Sequence, residues 1–262
     1  MQPEILRRIE EKLDRAEEKL DRAEEKLDRA KKKKNTAIIP FIEDLKLEQF
    51  ALVATSDKTN NKKNKIDCIN HYSQTFITSL PPHLTCNFLG VSLPTNEVIC
   101  SHIFQKRWAP SRRIVDLSEI NDPSNLILLH KPIEVLFDEG RICFLWNSDT
   151  QQFGMKILDP SIGSKTILEL TQKQSPLFAN SDSIFQQTLA SLDGRPLNTG
   201  GARMPYKRCF AFHASRARYE AIHIHKWFGK DDFVVPDEAW SPNILERPEL
   251  KSYMEAWLRA VE

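Results

Sequence analysis

The sequence predicts an α+β protein with a helical start, a strand-rich middle and a helical end. Three observations carry that expectation. Residues 12 to 32 write one seven-residue unit three times (KLDRAEE, KLDRAEE, KLDRAKK). Residues 86 to 160 hold short apolar runs separated by turn-forming residues, the pattern of short strands. Beyond Pro160 apolar residues return at helical spacing.

In the heptads, Leu6, Ile9, Leu13, Ala16, Leu20, Ala23, Leu27 and Ala30 alternate steps of three and four, the a/d seam of a left-handed coiled coil. Glu11 with Arg15, Glu18 with Arg22 and Glu25 with Arg29 add i,i+4 pairs, each worth roughly 0.2–0.5 kcal/mol. A seam of alternating Leu and Ala is thin, so weak or assisted homo-oligomerisation through residues 6–30 stands beside a solitary charged helix as an equal alternative. Lys31 to Lys34 close the segment with positive charge at a helix C-terminus. The near-perfect repeat is equally consistent with a recent expansion and with an added engineered segment.

Residues 35–84 are expected to be a helical and looped lead-in. DKTNNKKNK, at 57 to 65, reads as a loop by composition, and Ile66 to Leu80 as a helix stopped by Pro81 and Pro82. CNFLGVSL and VICSHIF follow as two short strands or a strand-turn-strand, with Gly90 in the first and Pro94, Thr95 and Asn96 between them. Asn125 to Leu129 is a further strand, and Pro132 suits the first turn of a short helix that Gly140 stops. ICFLW and FGMKIL form a hairpin around NSDTQQ, and Ser183 to Ser191, Phe212 to Trp227 and Leu250 to Val261 are the best later helices.

The 262 residues, 40% hydrophobic and 28% charged, suffice for a real core and exclude a peptide hormone or disulfide scaffold. With 37 Lys and Arg against 36 Asp and Glu, no global basic field marks a nucleic-acid coat protein. Five cysteines without CxxC spacing point to a reducing, intracellular compartment, in cytoplasm or nucleus. Lys31 to Lys34 is too short a run to choose between them. The first residues show no signal-like apolar stretch, and no run of about eighteen apolar residues suggests a membrane span.

The residues best placed for chemistry are Ser101 and His102 at a strand end, Asn125 beginning the next strand, and Glu134 and Asp138 one helical turn apart, hence on one helix face. This order, with SHI followed by NLILLHKPIEVLFDEGRICF, resembles the HNH endonuclease family. The variant it resembles has an Ala-His-Ile-like strand end, an Asn-Gly-Leu-Leu-Leu strand and a His-x-x-Phe-Asp helix. The resemblance covers about Thr85 to Leu158 and, less specifically, LDGRPL and FHASRARYEA downstream. It implies a ββα-metal core at 85–160, between a 1–34 coiled-coil helix with its 35–84 lead-in and a 161–262 helical extension. It further implies a metal-dependent endonuclease acting most readily on DNA. His102 would be the general base and Asn125 would hold its ring; Asp138 and Glu134 would ligate the metal, with Ser101 where the family often has Asp or His. A carboxylate and hydroxyl set favours Mg²⁺ or Mn²⁺ over Zn²⁺.

His130 could supply a nitrogen ligand but stands before the helix. Cys86, Cys100 and His102 lack the paired short spacings of structural zinc. His223 with His225 fit a solvated helix end better than a metal site, and His213 with Ser215 lack the strained Gly-x-Ser-x-Gly turn of a serine hydrolase. Lys106, Arg107, Arg112 and Arg113, around Trp108, are the nearest candidates for phosphate-backbone contact, and Arg203, Lys207 and Arg208 form a second cluster around Tyr206. Because Ser101 and Glu134 depart from the commoner ligands, a catalytically silent module that binds nucleic acid or protein, presented by the heptads, is the alternative.

Overall fold

The computed structural model describes residues 58–171, 183–201, 203–228, 234–236 and 239–240. The heptads, residues 35–57 and the helix expected at Leu250 to Val261 lie outside the described residues. What is described is α+β, built from three small antiparallel strand pairs with helices packed around them.

Helix α1 spans Lys58–Ser73, so the polar DKTNNKKNK stretch is helical, not a loop. The reason lies on its inner face, where Asn64, Lys65, Cys68 and Tyr72 are buried: half of that stripe is polar and leaves no apolar period. Lys65 lays its stem inward and donates from Nζ to the Thr95 carbonyl at 3.0 Å. The helix also ends at Ser73, short of the expected Leu80. Gln74 turns to φ 55°, and the Asn70 amide accepts from Ile77 N at 2.7 Å and donates to Ile77 O at 3.1 Å, taking over the pairing that another helical turn would supply. Phe76, expected on the packed face, is left exposed.

CNFLGVSL is likewise not one strand. Strand β1 (His83–Thr85) and strand β2 (Ser92–Pro94) pair antiparallel, and Cys86 to Val91 is the turn between them. Gly90 N bonds Cys86 O at 2.8 Å and Cys86 N bonds Val91 O at 3.0 Å, with Gly90 at φ 73°, where a side chain would be strained.

Strand β3 (Val98–His102) and strand β4 (Leu126–His130) form the central antiparallel pair, with Ser101 opposite Ile127 and His102 opposite Leu126. Helix α2 (Lys131–Asp138) follows at once, with Pro132 in its first turn and Gly140 at φ 67° just past its end. Successive strand residues face opposite sides. Ser101 meets Asp138 of α2 on one side, while the Cys100 thiol pairs with that of Cys68 from α1 on the other. The hairpin is therefore clasped between α1 and α2, and Tyr72 of α1 anchors it by donating to Leu126 O at 2.9 Å.

Strand β5 (Ile142–Asn147) and strand β6 (Gln152–Ile157) make the expected hairpin, followed by the short α3 (Ile167–Leu170). Where a helix was expected over Ser183 to Ser191, two 3-10 turns, Ser183–Gln186 and Leu189–Leu192, lie instead. Helix α4 (Lys207–Tyr219) packs along β5 and continues as one π turn, Glu220–Ile224. Phe137, Phe144, Phe153 and Phe210, all fully buried, join α2, the β5–β6 hairpin and α4 in a chain of tilted and edge-on rings. At about 1.5–3 kcal/mol per buried side chain, this cluster is the main bond between the central unit and the C-terminal helix.

Candidate functional site

His102 ends β3, and the loop that returns to β4 shapes its surroundings. Its Nε2 lies 2.9 Å from Asn121 Oδ1. An amide oxygen only accepts, so Nε2 carries the proton and Nδ1 is the proton-accepting nitrogen. Burial pushes the imidazole down to about 4, helped by the nearby Lys106 charge and opposed by the Asn121 bond. His102 is therefore neutral at physiological pH.

Asn125 does not touch that ring. Fully buried, it accepts from Phe104 N at 2.7 Å and donates to Phe104 O at 3.1 Å and Ile120 O at 2.9 Å, closing the loop between His102 and β4 at its base. The expected ring contact comes from Asn121, next in sequence to the carbonyl that Asn125 holds. Asp122 caps the turn ahead of Asn125 by accepting from Ser124 N at 2.8 Å. Asn121 is a loop residue with no periodic signature, and only the folded loop shows its role.

The carboxylates gather on the other side of the strand. Glu134 and Asp138, one turn apart on α2, hydrogen-bond to each other. Burial, the Asp138 charge and that shared bond push Glu134 up to about 7, and burial raises Asp138 too, against the pull of Arg107, Glu134, Ser101 and Gln105. Both carboxyls thus bind a proton more readily than free ones. Ser101 donates to Asp138 Oδ1 at 3.4 Å. Gln105, absent from the sequence expectation, is buried and donates to Asp138 O at 3.1 Å and Oδ1 at 3.3 Å, while Arg107 donates to Asp138 O at 3.2 Å.

The structure thus brings together Ser101, Glu134 and Asp138, and adds Gln105 and Arg107. His102 stands at the same strand end, on the opposite face from Ser101, and no described hydrogen bond joins it to either carboxylate. Two carboxylates one helical turn apart beside a hydroxyl are hard oxygen donors, suited to a hard divalent cation. Among the described residues no group of three or more His, Cys, Asp and Glu side chains is arranged to hold a metal ion, so such a cation would complete its shell with water and substrate oxygens.

Of the basic candidates, Lys106 and Arg107 are exposed and border the site. Arg112 turns back to the Ala109 carbonyl at 3.3 Å, and the side chain of Arg113 lies outside the described residues. The second cluster is dispersed among separate contacts. Arg203 lies 3.5 Å from His71 Nδ1, Lys207 rides 3.4 Å over the Trp146 ring, and Arg208 donates to the Val115 and Asp116 carbonyls. His130 faces the Glu97 carbonyl at 3.1 Å and Thr171 at 3.5 Å, which engages both ring nitrogens. Cys86 Sγ accepts from His130 N at 3.2 Å, and His213 stacks on Phe137 at 3.8 Å in the core.

Residues 86–145 match the family model described as HNH endonuclease, and the β3, β4 and α2 elements all fall inside the match. No curated protein and no solved structure matches the chain. Among the described residues, no helix is long and apolar enough to cross a membrane. The similarity is to a nuclease family, and it gives this segment a nuclease-type, nucleic-acid-related character.

Proposed function

We propose that the protein is a divalent-metal-dependent endonuclease that hydrolyses phosphodiester bonds of DNA at the end of β3, through a ββα-metal centre made of β3, β4 and α2. The observation that carries this reading is the placement, within the matched segment, of His102, its Nε2 held by Asn121, at the strand end from which Ser101 reaches the Glu134 and Asp138 carboxylates of α2. Hydrolysis needs a base for the attacking water and charge stabilisation at the phosphate.

His102 Nδ1 accepts the water's proton, and the imidazolium so formed keeps its Nε2 proton on Asn121. Glu134 and Asp138 would hold Mg²⁺ or Mn²⁺, which supplies charge neutralisation at the phosphate when bound. A carboxyl ligates a cation only when deprotonated, so cation binding at this pair would compete with protons. Ser101 and Gln105 orient Asp138. Arg107, fixed to the Asp138 carbonyl, presents the rest of its guanidinium to a phosphate oxygen, and Lys106 adds charge on the histidine side. With the two groups on opposite faces of β3, the scissile phosphate lies across the strand end.

A second reading, a silent module that binds without cutting, is favoured by the absence of a third described protein ligand. Cleavage of supercoiled plasmid with Mg²⁺, Mn²⁺, Ni²⁺ or EDTA separates the two. The nuclease gives metal-dependent nicking that falls by about 100-fold or more in a folded His102→Ala variant. No nicking with any metal, or equal nicking by both proteins, would leave the binding module.

A further inference from the structure

Beside Asp138 lies a cleft of about 690 Å³ that the mechanism above does not use. Arg107 and Asp138 form its border with the site, and the π turn that ends α4 forms its far wall. That turn is irregular in a specific way. His225 N bonds Glu220 O at 2.9 Å, Trp227 N reaches Ala221 O at 2.8 Å, and Lys226 between them is held at φ 56°. The reversal brings the rings of His225 and Trp227 parallel, 4.2 Å apart and 13° from coplanar. A π turn and a left-handed non-glycine residue both cost stability, and such features concentrate where a side chain must be aimed. Trp227 is braced from behind by the small cluster of Cys143, Leu158, Ala217 and Ala221, while His225 is exposed.

The lining chemistry selects the ligand. Glu139 and Glu220 join Asp138 on the walls, Arg141 is engaged by Asp159 at 2.6 Å and Glu139 at 3.6 Å, and Glu220 accepts from Arg216 at 2.7 Å, so the charges of the interior are matched within the protein and leave no cation there for a phosphate. A flat neutral heterocycle fits, since it can extend the ring stack and donate N–H groups to carboxylates, while Arg107 at the rim takes the adjoining phosphate. We propose that this cleft is a subsite for one unpaired nucleobase next to the scissile phosphate. The inference rests on the nuclease reading and gives it a substrate class: a single strand, or a duplex with an unpaired or flipped nucleotide at the cut.

The test uses the full chain in EDTA with a short single-stranded deoxyoligonucleotide carrying 2-aminopurine, whose fluorescence is quenched on stacking. Binding is followed in parallel by anisotropy. The subsite predicts quenching on binding and about tenfold weaker binding, with the quench lost, in Trp227→Ala. Trp227→Phe, which keeps an aromatic ring and most of the packing, retains the quench, and His225→Ala weakens it; thermal melting shows that each variant is folded. Binding without quenching, an unchanged quench in folded Trp227→Ala, or no binding by the unaltered protein would each overturn the subsite. Plasmid nicking is scored separately. Nicking without quenching removes the subsite alone, and quenching without nicking under any metal removes the nuclease reading alone.

Discussion

Two aspartates, at either end of one short stretch of chain, behave in opposite ways. Asp138 closes α2 and Asp159 follows β6, each has an arginine beside it, and both line the same cleft. At Asp159 the arginine meets the carboxylate directly: Arg141 donates from two nitrogens at 2.6 and 2.8 Å, and Ser161 N adds a third bond at 2.8 Å. Burial pushes Asp159 up, but the Ser161 and Arg141 bonds outweigh it and hold the group below its ordinary value. At Asp138 the arginine reaches the backbone carbonyl instead, and burial raises the carboxyl's proton affinity against the pull of Arg107 and of the Glu134, Ser101 and Gln105 bonds. The lesson is that proximity of opposite charge does not by itself make a structural staple. One carboxylate is closed on its arginine, and the other is not.

That contrast yields a crossed expectation. Asp138→Asn removes ligand charge but keeps shape, so metal-dependent nicking drops by at least about 100-fold. Because Asp138 has a raised value in the folded chain, its charged form disfavours folding near neutral pH, and the melting temperature of the variant is unchanged or higher. A fall in melting temperature without loss of nicking would reverse the roles assigned to the two aspartates.

Asp159→Asn is expected to do the opposite. It leaves Arg141 partly buried with only the more distant Glu139 carboxylate, at 3.6 Å, as counter-charge, at a cost of about 2 kcal/mol, a value below that of a fully buried pair because Arg141 is 27% exposed. A drop of about 5 °C in melting temperature, with activity per folded molecule retained, would show it. Since the folded value is depressed, this stabilisation is present above the ordinary carboxylate range and is lost as pH falls through the folded value. Denaturation curves of parent and Asn variant should therefore converge in acid, below about pH 4. The smallest effect is expected at Asn121→Ala, where freeing the His102 ring slows nicking about tenfold with little change in stability.

Much of this arrangement could be read from the chain before folding. The strand of His102, the strand after Asn125 and the helix carrying Glu134 and Asp138 announce themselves because each is short, apolar and bounded by Pro or Gly. What could not be read shares one cause: the partners are polar and far apart in sequence. Gln105 and Asp138 meet across 33 residues and His102 and Asn121 across 19, and neither pair has a period. The inner stripe of α1 likewise carries no apolar period, since Asn64 and Lys65 do there what apolar residues usually do.

The Asn125 clamp has a consequence for how this molecule tolerates change. By tying Phe104 and Ile120 together, one amide fixes both ends of the connection while its middle runs over the surface past exposed Asp116, Ser118 and Glu119. Segment length after Ser118 is thereby uncoupled from the placement of His102. Extra residues, an epitope or a small recognition module could be spliced in there, and the loop offers a graft point for redirecting the protein without rebuilding its centre.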